Sequence, residues 1–233
     1  MTDPAATEVL GRGAIEVHGR IAGSSNVTLL VTCALDGREL LAVYKPRRGE
    51  RELWDFPPGL HRREVAARVV SDWLGWDVVP ETVLRADAPF GEGSLQRVVD
   101  EDGVSHYFTL RDDPRWHPEL RRIAAFDVLT NNADRKGGHV LLGEGRLWAI
   151  DHGLTFHAEP KLRTVIWDFA GDPLDDAVRE ALARVEAEPL PGELLELLDD
   201  EELDALVRRA RALVRAGRLP APGAGRPYPW PLV

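Results

Sequence analysis

"LTNNADRKGGHVLLGEGRLWAIDHGLTF", residues 129–156, sets polar and charged residues around two short apolar runs. The apolar spacing just before it, in residues 119–132, predicts a helix that stops at an Asn pair. The runs "HVLL" and "RLWAID" predict two short strands joined by a glycine-containing turn. Such a hairpin returns Asp151 to the loop that carries Asp134, so we expect the two carboxylates to lie close together.

Length and charge narrow the class of protein. The chain has 233 residues, of which 44% are hydrophobic, enough to bury a core in one domain or in two small lobes that share a cleft. Acidic residues number 39 against 29 basic ones, which gives a formal net charge of -10. This charge repels nucleic acid and anionic lipid surfaces, so neither is expected as a partner.

The cellular location is expected to be cytoplasmic. Cys33 is the one cysteine and cannot form an intramolecular disulfide. The sequence shows no pattern typical of a secretion signal, and no apolar run approaches the length of a membrane span.

The N-terminal half reads as a sheet with one helix. Alternation over residues 14–45 predicts three antiparallel strands with turns at "AGSSN" and at Asp36. Helical spacing follows in residues 61–76, and residues 78–87 and 91–100 predict two further strands. We therefore expect an N-terminal, nucleotide-binding lobe of about five strands and one helix, covering residues 1–100.

The remainder, residues 101–233, predicts a mainly helical C-terminal lobe. After the hairpin, helical patterns occupy residues 172–188, 192–198 and 200–217. The last of these has an acidic start and a basic end, which suits the helix dipole. The tail "RLPAPGAGRPYPWPLV" is rich in Pro and Gly and predicts an extended segment.

Two motifs of the opening stretch carry a family resemblance. "DRKGGH" (134–139) resembles the D-R-x-x-x-N catalytic loop of the phosphatidylinositol 3-/4-kinase-like superfamily of atypical kinases, and "DHG" (151–153) resembles its D-F-G motif. Within that superfamily the chain is similar to a group of small actinobacterial-type members. The resemblance implies an α+β, two-lobed protein-kinase-like fold with a reduced C-terminal lobe. It also implies an ATP-dependent phosphotransferase.

The same resemblance assigns the nucleotide site. Lys45, in "AVYKP", corresponds to the strand lysine that contacts nucleotide phosphates, and Glu64 on the next helix corresponds to its carboxylate partner. The turn between the first two strands would cover the phosphates, and the "SLQRVV" segment would hold adenine through its backbone. The residues implied for these two contacts are Ser24, Ser25, Asn26, Gln96, Arg97 and Val98.

The catalytic and metal-binding residues follow from the two motifs. Asp134 would accept or orient the proton of the attacking hydroxyl, and Asp151 would bind the divalent cation, Mg²⁺ or Mn²⁺. Arg135 and Lys136 would stabilise the transferring group or simply dock the loop. His139 replaces the metal-binding Asn of the family, so it would either ligate the metal or lie beside it.

Two alternatives to an active kinase remain open at this stage. His139 and the short C-terminal lobe are also typical of a nucleotide-binding pseudokinase or regulatory module. A metal-dependent phosphoester hydrolase would instead use His139, Asp151 and His152. Asn131 and Asn132 are interpreted as helix-capping and loop-fixing residues.

The expected acceptor is a hydroxyl of a soluble metabolite, a polyol or a protein. The acidic chain has no membrane-binding stripe, which disfavours a lipid in a bilayer. Residues 154–170 lie where a substrate loop is expected, and Lys161 and Arg163 could bind an anionic substrate there. The tryptophans, Trp73, Trp76 and Trp148 among them, are expected in the core.

Overall fold

The computed structural model describes residues 3–233 and shows the predicted α+β, two-lobed kinase-like fold. An antiparallel sheet of five strands forms the N-terminal lobe in the order β1-β2-β3-β5-β4. Each of the five strands overlaps a stretch where the sequence predicted one. Their bounds are β1 Ala14–Arg20, β2 Leu29–Leu35, β3 Arg38–Pro46, β4 Thr82–Arg85 and β5 Gly93–Arg97.

A helix that the sequence analysis did not predict precedes the sheet. Helix α1, Pro4–Arg12, begins after Asp3, whose side chain caps it by accepting a hydrogen bond from the Ala5 N–H (2.9 Å). Val9 and Leu10 are buried and join the apolar cluster beneath the sheet. The structure therefore adds a second helix to the predicted sheet and helix, and nine residues give too short an apolar pattern to recognise it from the sequence.

The remaining elements follow the predicted order. A short helix, α3, was not predicted, because four residues carry too little periodicity. The structure contains, among the described residues, no helix long and apolar enough to cross a membrane. The bounds are α2 Leu60–Trp73, α3 Tyr107–Leu110, α4 His117–Thr130, β6 Val140–Gly143, β7 Arg146–Ala149, α5 Asp176–Ala187, α6 Gly192–Leu197 and α7 Asp200–Ala216.

Helix α2 packs into the larger of the two main apolar clusters. Ala66, Ala67 and Val70 are fully buried there among residues of α4, α5 and α7. Arg63 forms a buried ion pair with Glu202 of α7. The helix that carries Glu64 is thus fastened to the C-terminal helices as well as to the sheet.

The stretch 129–156 folds as its sequence predicted. Helix α4 ends at Thr130, and the residue that caps it, Asn131, adopts a left-handed conformation (φ 54°). Strands β6 and β7 form an antiparallel pair in which Val140 lies opposite Ala149. Trp148 of this hairpin is buried in the core, as expected. The hairpin therefore brings residues 150–153 back to the loop after α4.

Candidate active site

Lys45 lies at the centre of the candidate site. It stands near the end of β3, and its Nζ donates hydrogen bonds to Glu64 of α2 and to Asp151 Oδ1 (2.8 Å). Glu64 Oε2 in turn accepts the backbone N–H of His152 (2.8 Å). Three segments far apart in sequence therefore meet at one ammonium group.

The charges of this cluster stabilise one another. Burial alone would lower the pKa of Lys45, but Asp151 and Glu64 offset that effect and raise it above its ordinary value. The Lys45 ammonium holds the pKa of Asp151 far below its usual range. Burial raises the pKa of Glu64, and Lys45 opposes that rise. Lys45 and Asp151 are thus both charged at neutral pH.

His139 contacts the second oxygen of the Asp151 carboxylate. Its Nε2 lies 3.4 Å from Asp151 Oδ2, and burial lowers its pKa to about 4, so the ring is neutral at pH 7. The Lys136 backbone N–H donates to His139 Nδ1 (3.4 Å). The ring proton then belongs on Nε2, where it faces Asp151. In this arrangement the His139 ring contacts the Asp151 carboxylate, so the two residues predicted to bind the metal lie side by side.

Asp134 is fixed by the loop around it. Its backbone N–H donates to Asn132 Oδ1 (2.9 Å), and its Oδ2 accepts from Lys136 Nζ (2.8 Å). Burial raises its pKa, Lys136 opposes that rise, and the nearby charge of Asp151 adds to it. The two carboxylates that the hairpin was predicted to bring together are therefore close enough to interact electrostatically.

Arg135 is wholly buried and connects the loop to its surroundings. Its Nε donates to Asp127 of α4 (3.0 Å), and its other nitrogens donate to the carbonyl oxygen of Ile150 (2.7 Å) and to His152 Nε2 (2.7 Å). Of the two roles expected for Arg135, these contacts favour docking of the loop. Asn131 likewise fixes the chain, because its Nδ2 donates to the carbonyl oxygen of His157 (2.8 Å).

The turn between β1 and β2 lies at the Lys45 end of the sheet. Arg20 pairs with Leu29, and Leu29 pairs with Tyr44, the neighbour of Lys45. Asn26 Oδ1 accepts the Arg51 N–H (2.9 Å), which anchors the turn to the segment after β3. The predicted phosphate-covering residues, Ser24, Ser25 and Asn26, are therefore on the expected side of the sheet.

The predicted adenine-binding segment uses its N–H groups within the protein. The Arg97 N–H donates to the carbonyl oxygen of Glu81, and the Val98 N–H donates to that of Leu41, both at 2.9 Å. Gln96 Nε2 donates to Thr82 Oγ1 (2.8 Å). These two N–H groups are therefore already paired within the protein, so a backbone contact with adenine from this segment would use its other backbone groups.

A second part of the site combines Asp134 and Arg163, which the sequence analysis named, with residues that the motifs did not indicate. A pocket of about 830 Å³ opens beside Asp134. Its walls come from the segment after β3, from Ala133 and Arg163, and from the extended tail. The residues that line it are Trp54, Asp55, Ala133, Asp134, Arg163, Arg226, Tyr228, Pro229, Trp230 and Leu232.

The metal-dependent hydrolase alternative would need a cluster of metal-binding side chains, and residues 3–233 do not supply one. His152 is fully buried, its ring packs edge-on against Phe126 (5.6 Å between ring centroids), and its Nε2 accepts from Arg135. Within residues 3–233 there is no group of three or more His, Cys, Asp or Glu side chains that could hold a metal ion. His152 therefore acts as a core residue beside the site.

The structural neighbours define the class of fold. The Golgi casein kinase has a TM-score of 0.59 and 16% sequence identity, and the match covers 93% of this chain and 78% of that chain. A hydra Fam20 structure, described as with sugar, has a TM-score of 0.60 and 14% identity over 93% of this chain and 89% of that chain. At such low identity the likeness shows the fold alone, and that fold is atypical-kinase-like.

One sequence relative places the chain more narrowly. Protein Rv2133c of Mycobacterium tuberculosis is 42% identical over 262 residues, which cover 96% of this chain and 94% of that protein. The chain belongs to the same family as Rv2133c. No protein-family model matches the sequence.

Proposed function

We propose that this protein is an ATP-dependent phosphotransferase of the atypical-kinase type. The observation that carries the proposal is the position of Lys45 Nζ, which donates to both Glu64 and Asp151. Transfer of a γ-phosphoryl group depends on charge neutralisation and alignment, and this cluster provides a fixed cation beside a fixed carboxylate.

Lys45 would contact the nucleotide phosphates, with Glu64 keeping the side chain extended and charged. The backbone of Ser24, Ser25 and Asn26 would cover the phosphates from the sheet side, and the 96–98 segment would border the adenine. The Golgi casein kinase, which has the same fold, was also solved with Mn and ADP bound. This supports a nucleotide and a divalent cation as cofactors here.

Asp151 is the residue proposed to hold the divalent cation. Mg²⁺ is usually held by one or two carboxylates together with substrate phosphates, so the lack of a cluster of three protein ligands in residues 3–233 fits such a site. The cation would neutralise phosphate charge when bound. His139 is proposed to orient Asp151, and neither Mg²⁺ nor Mn²⁺ is favoured by the residues present.

Asp134 is the proposed catalytic carboxylate. Its raised pKa suits a group that accepts or orients the proton of an attacking hydroxyl. Lys136, which pairs with Asp134, is proposed to contact the transferring group, and buried Arg135 is proposed to act as a positioning residue.

We further propose kinship with the phosphatidylinositol 3-/4-kinase-like branch, on the order of the "DRKGGH" and "DHG" motifs. The proposed acceptor is a hydroxyl of a soluble molecule or a protein. The proposed location is the cytoplasm, on the basis of the one cysteine, Cys33, which is free and buried.

Nucleotide binding and transfer, measured separately, test the function. With ATP and Mg²⁺ or Mn²⁺, Asp134→Ala should keep nucleotide affinity and lose transfer by about 10²- to 10⁴-fold. Asp151→Ala should lose the metal dependence of nucleotide binding, as measured by calorimetry. Arg179→Ala, at an exposed position of α5, is the matched control. Unchanged transfer in Asp134→Ala would remove this residue from the mechanism.

A nucleotide-binding pseudokinase is the second candidate. The specific observation in its favour is that both oxygens of Asp151 already have partners, Lys45 and His139. A pseudokinase should be stabilised against heat by ATP but should not transfer phosphate to any acceptor, to itself or to water. This result is expected both for the wild type and for His139→Asn. Transfer in either protein would identify an active enzyme or a site that is active when the family's Asn is restored.

A further inference from the structure

We infer that the pocket beside Asp134 is the acceptor subsite, and that it takes a small ring-shaped polyol carrying an anionic group, such as a sugar phosphate or a sugar acid. The inference rests on the proposed phosphotransferase function and names the substrate class of that site. The pocket, at about 830 Å³, is within the range of small-molecule sites.

The tail is a built part of this pocket. The Gly137 N–H of the loop donates to the carbonyl oxygen of Leu232 (2.7 Å), and the Thr164 N–H donates to that of Pro227 (3.0 Å). Trp167 Nε1 also donates to the Pro227 carbonyl oxygen (3.0 Å). We call residues 226–232 the strap. Its backbone is fastened at both ends, so the side chains between are held over the pocket.

Glycine at position 137 permits this close approach. A Cβ there would lie 2.9 Å from ring carbons of Phe108 and 3.3 Å from the Leu232 carbonyl oxygen. Because those distances are too short for an ordinary contact, a side chain at residue 137 would displace the Phe108 ring and press against the strap at Leu232. The catalytic loop and the strap are thus matched to each other.

Aromatic side chains around the pocket favour a ring-shaped ligand. Trp54 is 96% exposed, Trp230 is 87% exposed and Tyr228 is 50% exposed, although all three line the same pocket. Large exposed aromatics grouped around polar residues mark binding sites. Their flat faces suit the C–H faces of a pyranose or cyclitol ring, and its hydroxyls would remain free to reach Asp134.

The charged side chains around the pocket favour a ring that carries an anionic group over a neutral ring. Among the residues that line the pocket, Arg163 pairs with Asp55 (3.6 Å), and Asp134 pairs with Lys136 (2.8 Å), which lies outside the lining. Arg226 is exposed and forms no ion pair with any residue of the described range. One cation therefore remains for the ligand, and a guanidinium binds phosphate or carboxylate with two parallel hydrogen bonds.

The binding experiment uses four probes: glucose, glucose 6-phosphate, glucuronate and a neutral Ser-containing peptide. Each is titrated by calorimetry into the full chain with ADP and Mn²⁺ present. Glucose 6-phosphate or glucuronate should bind at least about tenfold more tightly than glucose. Arg226→Ala should remove most of that preference, and Trp54→Ala and Trp230→Ala should weaken both anionic rings by about tenfold.

Exposed positions away from the pocket supply the controls. Arg179→Ala and Leu195→Ala should leave binding of all four probes unchanged, and every variant should keep its ADP affinity. Equal binding of glucose and both anionic rings, binding of the peptide alone, or no ring binding at about 50 mM would each overturn the inference.

Two further readouts separate this inference from the function it rests on. If Lys45→Ala leaves ADP affinity unchanged, the proposed function fails whatever the sugars do. If ADP binds through Lys45 and the rings do not, only the acceptor class fails. A deletion of residues 226–233 that raises transfer or ATP hydrolysis would show that the strap blocks the site, and would also overturn the inference.

Discussion

The proposed nucleotide side and the proposed acceptor side of the candidate site, called the nucleotide side and the acceptor side below, are built in opposite ways. On the nucleotide side, Lys45, Glu64 and Asp151 form a charged cluster supported by buried Arg135. On the acceptor side, the pocket beside Asp134 is lined by exposed aromatic and cationic side chains.

We expect this difference to separate the residues that serve the reaction from the residues that select the acceptor. A cluster of mutually stabilised charges holds one geometry, as an invariant nucleotide requires. Exposed side chains on loops and on the strap contribute little to folding, so they can differ without loss of the fold. We therefore expect substitutions on the two sides to separate into effects on stability and nucleotide affinity and effects on the acceptor alone.

The largest expected effect is on stability, from breaking the buried pair of Arg135 and Asp127. Arg135→Gln leaves the Asp127 carboxylate buried without its charge partner, which should cost about 3 to 5 kcal/mol in the free energy of unfolding. Urea denaturation measures it. Arg115→Gln breaks an exposed pair and should change the free energy by less than about 1 kcal/mol. If Arg135→Gln lowered the free energy of unfolding by less than about 1 kcal/mol, the expected difference between the buried and the exposed ion pair would be refuted.

The next effect is a pH dependence at the start of α2. The carboxylate of Glu50 accepts the N–H groups of Gly59 (2.9 Å) and His61 (2.8 Å). Burial alone would raise its pKa, but these bonds and the His61 ring lower it to about 2 from an ordinary value of 4.5. Because the folded pKa is depressed, the stabilisation is complete above about pH 4.5 and is lost as the pH falls towards 2.

This contribution should reach at most about 3 kcal/mol, from about 1.4 kcal/mol per pKa unit. In denaturation curves at pH 5, 4 and 3, Glu50→Gln should lose less free energy of unfolding than the wild type as the pH falls. Glu16→Gln, at an exposed position of β1, should follow the wild type. A parallel pH profile for Glu50→Gln would refute the assignment.

The third effect concerns nucleotide affinity. Glu64→Gln removes one of the two carboxylates that hold Lys45, so the ammonium should turn towards Asp151 and meet phosphates less well. We expect the Kd for ADP to rise about tenfold, or about 1.4 kcal/mol. Titration with a fluorescent ADP analogue measures it, with Arg62→Gln on the same helix as the control. An unchanged Kd would mean that this pair does not prepare the nucleotide site.

The smallest effect is expected on the acceptor side. Trp54→Ala should change the free energy of unfolding by less than about 0.5 kcal/mol, since the side chain is almost fully exposed. Trp76→Ala, which empties a buried position, should cost about 3 to 5 kcal/mol in the same urea titration. If Trp54→Ala lowered the free energy of unfolding by more than about 1 kcal/mol, the rim of the pocket would be shown to stabilise the fold.

Local patterns predicted the framework of the site. Strand alternation indicated β3, helical spacing indicated α2, and the hairpin was expected to return Asp151 to Asp134. These features depend on the periodicity of neighbouring residues, which a single sequence contains. The family resemblance, and not the periodicity, singled out Lys45 and Glu64 on these elements.

The acceptor side was predicted only in part, because Arg163 was expected to bind an anionic substrate but its neighbours in the pocket were not foreseen. Trp54, Arg163 and the strap are separated by more than sixty residues at the closest, and their meeting depends on hydrogen bonds such as that of the Arg135 N–H to the Arg163 carbonyl oxygen (3.0 Å). The composition of the tail predicted an extended segment, but it did not indicate which part of the protein the tail packs against. The partners of the Arg97 and Val98 N–H groups were also beyond the sequence, because they depend on tertiary register.

The anchoring of α2 has a consequence for control of the protein. Displacing this helix outward would expose Ala66, Ala67 and Val70 to water and would separate Arg63 from Glu202. Several kcal/mol oppose such a movement. We therefore expect no control of the protein by displacement of α2, and Glu64 should keep its position beside Lys45.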